Sequence, residues 1–244
     1  MLAKIYTWTR DQATQNILDT YISQWYCVVN YLYFANAMKR RLFEQPRHQD
    51  DTRYKSALQE WDYLLPDGIA LQTFYKFASG FDQKLHNLNW TDFLPYFLNS
   101  LLLERKKVKL FVYGSKEAYS DRIRKHFTDL GFDVEYVLDG YQELDWSEIH
   151  TNPNIINILL VGRWTPLQEM WTFDHIDQIQ QKWLLVMNQW WTFDFLIWIE
   201  RRAPKWVIKS RVLETPWRVL TNPKKNLWKL SAMFGIVRYF FANR

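Results

Sequence analysis

KVKLFVYGSKEAYSDRIRKHFTDLGFDVEYV, residues 107–137, is the stretch whose reading decides the fold. Val108 to Tyr113 is a continuous apolar run of strand length, and Gly114-Ser115 supplies a turn. Lys116 to Leu130 then spaces its apolar residues as one face of a helix, and Gly131 closes it. Phe132 to Val137 is a second strand. Strand, helix and strand in so short a span form a βαβ unit, whose right-handed crossover implies a parallel sheet with helices packed on its faces. Outward from this unit, Ile155 to Val161 before Gly162, and Trp183 to Met187, read as further buried strands. Ile22 to Tyr33, interrupted by Asn30, reads as a buried strand leading into a helix, and a helix is predicted in the second half of residues 35–60. Trp61 to Leu65 is short and apolar, and Ile69 to Phe81 carries Leu71, Phe74, Phe77 and Ala78 at helical spacing. The predicted fold is an α/β, Rossmann-like parallel-sheet core with helices on both faces. In such sheets ligands gather outside the carboxyl ends of the strands, where Gly114, Gly162 and Asn188 fall.

Composition bounds the function. The chain has 244 residues, 48% of them apolar and 23% charged, which describes a globular protein. Cys27 is the single cysteine, so no internal disulfide forms and a reducing compartment is expected. The mixed residues from Met1 to Asp19 do not read as a secretory signal, and no uncharged apolar run of about 18 residues predicts a membrane-spanning helix.

The net charge of +5 hides an asymmetry. Residues 201–244 hold 11 Lys and Arg against one acid, Glu214, which leaves 20 basic and 25 acidic residues, a charge of −5, in 1–200. A composition shift near residue 200 therefore divides a core, 1–200, from a basic, helical C-terminal appendage, 201–244. Aromatic residues such as Trp206, Trp217, Trp228 and Tyr239 are interleaved with these cations. Such a tail suits an anionic bilayer surface or unpaired bases, and a solvated charged face is the plain alternative. No nucleic-acid-binding motif accompanies it and the acidic body would repel a duplex, so a nucleic-acid partner is not expected.

Leu64-Leu65-Pro66-Asp67-Gly68 places a lone carboxylate on a turn after an apolar run. Pro-Asp-Gly makes a good turn on chemistry alone. The same position suits a catalytic base at the rim of the sheet, and the five residues by themselves leave both readings open.

Taken in order, the segments at these strand ends resemble the WecG/TagA/CpsF glycosyltransferase family. The pieces are Leu65-Pro66-Asp67-Gly68-Ile69, Asp139-Gly140-Tyr141, Leu159 to Glu169 (LLVGRWTPLQE), Phe193-Asp194-Phe195-Leu196 and Arg202-Ala203-Pro204-Lys205-Trp206, with Leu213-Glu214, Arg218 and Pro223 beyond them. The resemblance implies an inverting transfer of a sugar such as N-acetylmannosamine, its uronic acid or glucose. The donor would be a UDP-sugar and the acceptor an undecaprenyl-diphosphate-linked saccharide, in the synthesis of cell-surface polysaccharides. It makes Asp67 the general base that takes the acceptor's hydroxyl proton. It places Asn30 near the donor at a strand end, and Gln168 and Glu169 as a donor-binding pair opening a helix after a strand. Asp194 becomes a donor-binding or loop-holding acid. On their own chemistry Asn30 suits a cap, Gln168 and Glu169 a solvent-facing first turn, and Asp194 a loop anchor. The tail would serve membrane association, with Arg211, Arg218, Lys224, Lys225 and Lys229 neutralising the acceptor's diphosphate. The expected partners are thus a nucleotide sugar, a lipid-linked acceptor and the inner face of the cell membrane, with a homo-oligomer left open. No paired-acid motif or clustered His and Cys ligands stand out, so neither metal nor other cofactor is expected.

The departures from the family pattern are specific. Val28 replaces a threonine before the asparagine, and Asn87-Leu88-Asn89-Trp90-Thr91-Asp92 loses an arginine and a glycine while keeping Asp92. Asn188-Gln189-Trp190-Trp191 replaces a glycine-rich turn, and Gly162-Arg163-Trp164-Thr165-Pro166 a segment rich in Gly and Ala. Two expectations follow. Either Arg163, Trp190 and Trp191 reshape the donor pocket with cationic and stacking contacts, or donor binding is impaired and the chain is a scaffold or regulatory relative at the membrane.

Overall fold

The run at Val108 extends two residues further than expected: β3 spans Val108–Ser115 and carries its turn glycine inside the strand. A single 3-10 turn, Glu117–Tyr119, precedes the helix α6, Ser120–Asp129, and β4 follows at Asp133–Asp139. The βαβ unit of residues 107–137 is therefore present as read. This is a computed structural model, and it describes residues 5–46, 48–78, 85–86, 88–189 and 192–197, with isolated positions 204, 207, 217, 220, 221, 223 and 239.

The other strands are β1 (Cys27–Tyr33), β2 (Tyr63–Asp67), β5 (Ile156–Val161) and β6 (Leu185–Asn188). They join β3 and β4 in one six-stranded sheet, ordered β2-β1-β6-β5-β3-β4, with every pairing parallel. Parallel strands covered on both faces lose the polar/apolar alternation of a half-exposed strand, which is why these segments read as near-continuous apolar runs.

Helices cover both faces. Val29, Tyr31, Leu65, Leu110, Val112 and Met187 project to one side, where they pack with α1 (Arg10–Gln24), α5 (Trp90–Leu103) and α6. On the other side Leu32 and Leu64 meet α2 (Phe34–Lys39), α3 (Gln49–Glu60) and α4 (Ile69–Ala78). Val28, Phe111, Leu159 and Val186 on that same side meet α7 (Leu167–Asp174) and α8 (Ile176–Gln181). The architecture is the expected α/β, Rossmann-like one. α9, Thr192–Leu196, follows β6 and lies against α5 and α6.

Two long helices were not anticipated, nor were the short α8 and α9. α1 opens on a capping box, Thr9 with Gln12, and buries Ala13, Thr14, Ile17, Leu18 and Tyr21. α5 opens on Asn89, whose side chain accepts from the Asp92 backbone N–H, and it tolerates Pro95 in its second turn. The boundary drawn near residue 200 and nearly all of the basic appendage lie outside the described residues. Tyr239 is described, and its ring stands edge-on to Phe74, at 5.0 Å, and to Phe43, at 6.4 Å.

Candidate active site at the carboxyl edge of the sheet

Asp67 is the last residue of β2 and lies in register with Tyr33 of β1. Pro66 and Asp67 belong to the strand, so the turn begins two residues later than the sequence suggested, at Gly68 with φ +86°. The Asp67 side chain is 7% exposed, and its Oδ2 accepts a hydrogen bond of 3.1 Å from Trp90 Nε1 at the start of α5. Tyr31 shares that face. Burial pushes its phenol pKa up, the hydrogen bond from Gln189 Nε2 at 3.3 Å opposes this, and the Asp67 charge adds to the rise. Asp92 sits two residues beyond Trp90. Asn89 Nδ2 donates to its Oδ2 at 3.2 Å, and Arg10 lies 3.8 Å from the same oxygen.

A second group stands on the opposite face. Asn30 was expected at a strand end, but it is the fourth residue of β1 and fully buried. Its Oδ1 accepts a hydrogen bond from Asn188 Nδ2, and Asn188 Oδ1 accepts from Thr172 Oγ1 at 3.0 Å. One helical turn before Thr172, Gln168 Nε2 and Thr165 Oγ1 each donate to Glu169 Oε1 at 2.9 Å. Gln168 and Glu169 do open a helix after a strand, as expected. They are 2% and 1% exposed, so the solvent-facing alternative is corrected: α7 packs against α3, and Tyr54 of α3 lies near enough to feel the charge of Glu169. Asn30 Nδ2, Gln168 Oε1 and Glu169 Oε2 have no hydrogen-bond partner among the described residues. These three polar atoms thus stand buried and unspent in one network, at a cost of about 1–3 kcal/mol each unless a ligand or water meets them.

Burial raises the Glu169 pKa to about 7, opposed by the Gln168 and Thr165 hydrogen bonds and by the charge of Arg40. The folded state then holds a proton that the unfolded chain, with a carboxyl near 4.5, releases earlier. Between those two values stability falls as pH rises, and above about 7 the full penalty of a buried carboxylate applies. Glu169→Gln is therefore expected to raise the melting temperature relative to the native chain at pH 8 and to change it little at pH 4, with a difference on the order of 3 kcal/mol. Thermal melts of both proteins across that range check this, and a difference independent of pH would contradict it.

The strand-end glycines lie on the far side of β6 from Asp67, at the ends of β5, β3 and β4. A Cβ on Gly114 would stand 2.6 Å from Gly162 C and 2.7 Å from Arg163 N, and one on Gly140 would stand 2.7 Å from Gly114 Cα. The ends of β3, β4 and β5 thus meet backbone to backbone. The ring of Phe193 covers Gly162, with Cε2 2.3 Å from where a Cβ would be. Arg163 lies over the Tyr113 ring at 5.5 Å. Gly114, Gly162 and Arg163 are brought together, Gln168 and Glu169 join Asn30 through Thr172 and Asn188, and Asp67 stands apart on the α5 face, bonded to Trp90, with Asp92 two residues further along that helix. Trp190, Trp191, Arg211, Arg218, Lys224, Lys225 and Lys229 lie outside the described residues, as does the side chain of Asp194. Among the described residues no three His, Cys, Asp or Glu side chains are grouped to hold a metal ion.

Thr165, Thr172, Tyr31 and Gln189 were not anticipated as site residues. Their common signal is a polar side chain within or beside an otherwise apolar strand, or in or just before the helix that follows it.

A buried carboxylate at the carboxyl end of a parallel strand lies where open α/β sheets gather their ligands. The sequence pattern of the Glycosyl transferase WecG/TagA/CpsF family matches residues 4–243. The chain belongs to the WecG/TagA/CpsF family. That places it among glycosyltransferase-related proteins of cell-surface polysaccharide synthesis. A search of curated proteins finds no match. Among the described residues no helix of this family member is long and apolar enough to cross a membrane.

Proposed function

We propose that the chain is an inverting glycosyltransferase that moves a sugar from a UDP-sugar to an undecaprenyl-diphosphate-linked saccharide, with Asp67 as general base. The observation that carries this reading is the buried Asp67 carboxylate at the carboxyl end of a strand, in a member of a glycosyltransferase family. The acceptor hydroxyl oxygen attacks the anomeric carbon and its proton passes to the Asp67 carboxylate. The bond from that carbon to the β-phosphate oxygen breaks, and UDP leaves with the electron pair. Charge on the departing diphosphate is met by cations and backbone N–H groups. Arg163, and Arg211, Arg218, Lys224, Lys225 and Lys229 from the tail, are the cations assigned to the donor and acceptor diphosphates. The unpaired atoms of Asn30, Gln168 and Glu169 suit the hydroxyl and amide groups of a donor sugar or nucleoside. Asp92, Asp194, Trp190 and Trp191 complete the assigned donor and acceptor site, and no metal or other cofactor takes part. The division into a catalytic core, 1–200, and a membrane-associating appendage, 201–244, belongs to the same reading. So does a place on the inner face of the cell membrane.

The test is transfer from a panel of radiolabelled UDP-sugars to a polyprenyl-diphosphate saccharide carried in anionic vesicles. Product is expected from at least one donor, and the protein should co-sediment with the vesicles less at high salt, because screening weakens the tail's attraction.

A second reading, a non-catalytic relative serving as scaffold, is favoured by one observation. Phe193 occupies the space beside Gly162, where an open glycine would let a phosphate approach the backbone. Calorimetry separates the two: silence across UDP- and GDP-sugars, together with no transfer, supports the scaffold.

A further inference from the structure

We infer that Trp90 is a positioning residue for Asp67, its indole N–H holding the carboxylate in the orientation from which it takes the acceptor's proton. The inference rests on the reading of Asp67 as general base. Three observations carry it. The first is the 3.1 Å bond from Trp90 Nε1 to Asp67 Oδ2, made by residues 23 positions apart in sequence. The second is that Trp90 is itself held in place. It is the first residue of α5, directly after the cap at Asn89, whose Oδ1 accepts from Asp92 N at 2.9 Å and Thr91 Oγ1 at 3.0 Å. Its helix is tied to the sheet through the fully buried Phe93, Leu94 and Phe97, and its ring meets Phe195 with centroids 5.8 Å apart. The third is chemical. An indole N–H only donates and does not titrate in the working range, so it holds the ionised carboxylate without competing for the proton. An aspartate side chain at a strand end rotates about two bonds, and a fixed donor on one oxygen removes most of that freedom. Orientation of this kind contributes to the barrier without touching the substrate.

The experiment has a spectroscopic arm and a kinetic arm, both on the full chain. With tryptophan indoles labelled with nitrogen-15, Trp90→Phe identifies the Trp90 signal by its disappearance while the other indole signals stay in place. Asp67→Asn, in a chain that keeps Trp90, is expected to move that signal upfield as the charged acceptor is lost. A Trp90 signal that does not respond to Asp67→Asn overturns the inference. In the kinetic arm, UDP-N-acetylmannosamine and a polyprenyl-diphosphate saccharide are the probes. Trp90→Phe leaves an aromatic ring at the start of α5 and removes the donor together with one ring of the indole. It is expected to lower kcat about tenfold, the size of one hydrogen bond to a charged group, with KM for both probes little changed. A kcat at or above the native value overturns the inference, and a gain would mean that the indole masks the base. An inactive Asp67→Asn beside an unimpaired Trp90→Phe leaves the base reading standing, whereas an active Asp67→Asn overturns both.

Discussion

Asp67→Asn is expected to abolish sugar transfer while leaving the fold intact. The substitution preserves side-chain volume, and the amide oxygen still accepts from Trp90 Nε1. What it removes is the capacity to take a proton as the acceptor oxygen bonds to the anomeric carbon. A positioned base contributes roughly 10²–10⁴-fold, so the residual rate should fall at least a hundredfold. Because the native carboxylate is 7% exposed, replacing it by a neutral group removes a desolvation cost, and stability should hold or rise slightly. Turnover and chemical denaturation measured on the same preparations separate the two effects. Near-native turnover would remove Asp67 from the base role, and a collapse of stability would make the loss of activity uninformative. Unchanged donor binding by calorimetry beside lost turnover is the pattern a base predicts, because a base acts on the acceptor's proton and not on the donor.

How much of this was legible in the sequence depended on whether the determinant was local. The sheet was legible because parallel strands buried on both faces must be apolar along their length, and Val108–Tyr113 and Ile155–Val161 could hardly be anything else. α5 was not, because Pro95 removes a backbone donor within the helix and a tryptophan opens it, which obscures its apolar spacing from Phe93 to Leu101. α1 was hidden because its buried face includes Thr14 and two small or polar-tipped residues, Ala13 and Tyr21, which dilute the apolar stripe. At the site, Asn30 stood out as a polar break in an apolar run, but its central place in β1 depended on how the strands pair. The burial of Gln168 and Glu169 was set by α3, a helix more than a hundred residues earlier in the chain. The Trp90–Asp67 bond and the meeting of three strand ends at Gly114, Gly140 and Gly162 are likewise products of tertiary placement, which no local pattern encodes.

Gly114→Ala should be among the most destabilising single substitutions in the molecule, and the reason lies in that meeting of strand ends. Gly114 has φ +115°, a conformation that L residues adopt only under strain of about 1–3 kcal/mol. The new Cβ would also stand 2.6, 2.7 and 2.8 Å from Gly162 C, Arg163 N and Gly162 N. These are backbone atoms, so no side-chain rotation relieves the clash, and β3 and β5 would have to separate at their carboxyl ends. The two strands are paired along their length, with Tyr113 opposite Val161, so separation also strains the ladder. The combined cost is expected to reach ~3 kcal/mol or more. Gly68→Ala is the control, since Gly68 also has a positive φ, +86°, but a Cβ added there would meet nothing within 4 Å. It should cost only about 1–2 kcal/mol, the conformational part alone. Denaturant melts of the two variants test whether contact or conformation makes the difference. Equal losses would mean that the strand ends part easily, and that the rim at Gly114 and Gly162 is loose enough to admit a phosphate. A much larger loss at Gly114 would mean that the rim is closed by its own backbone.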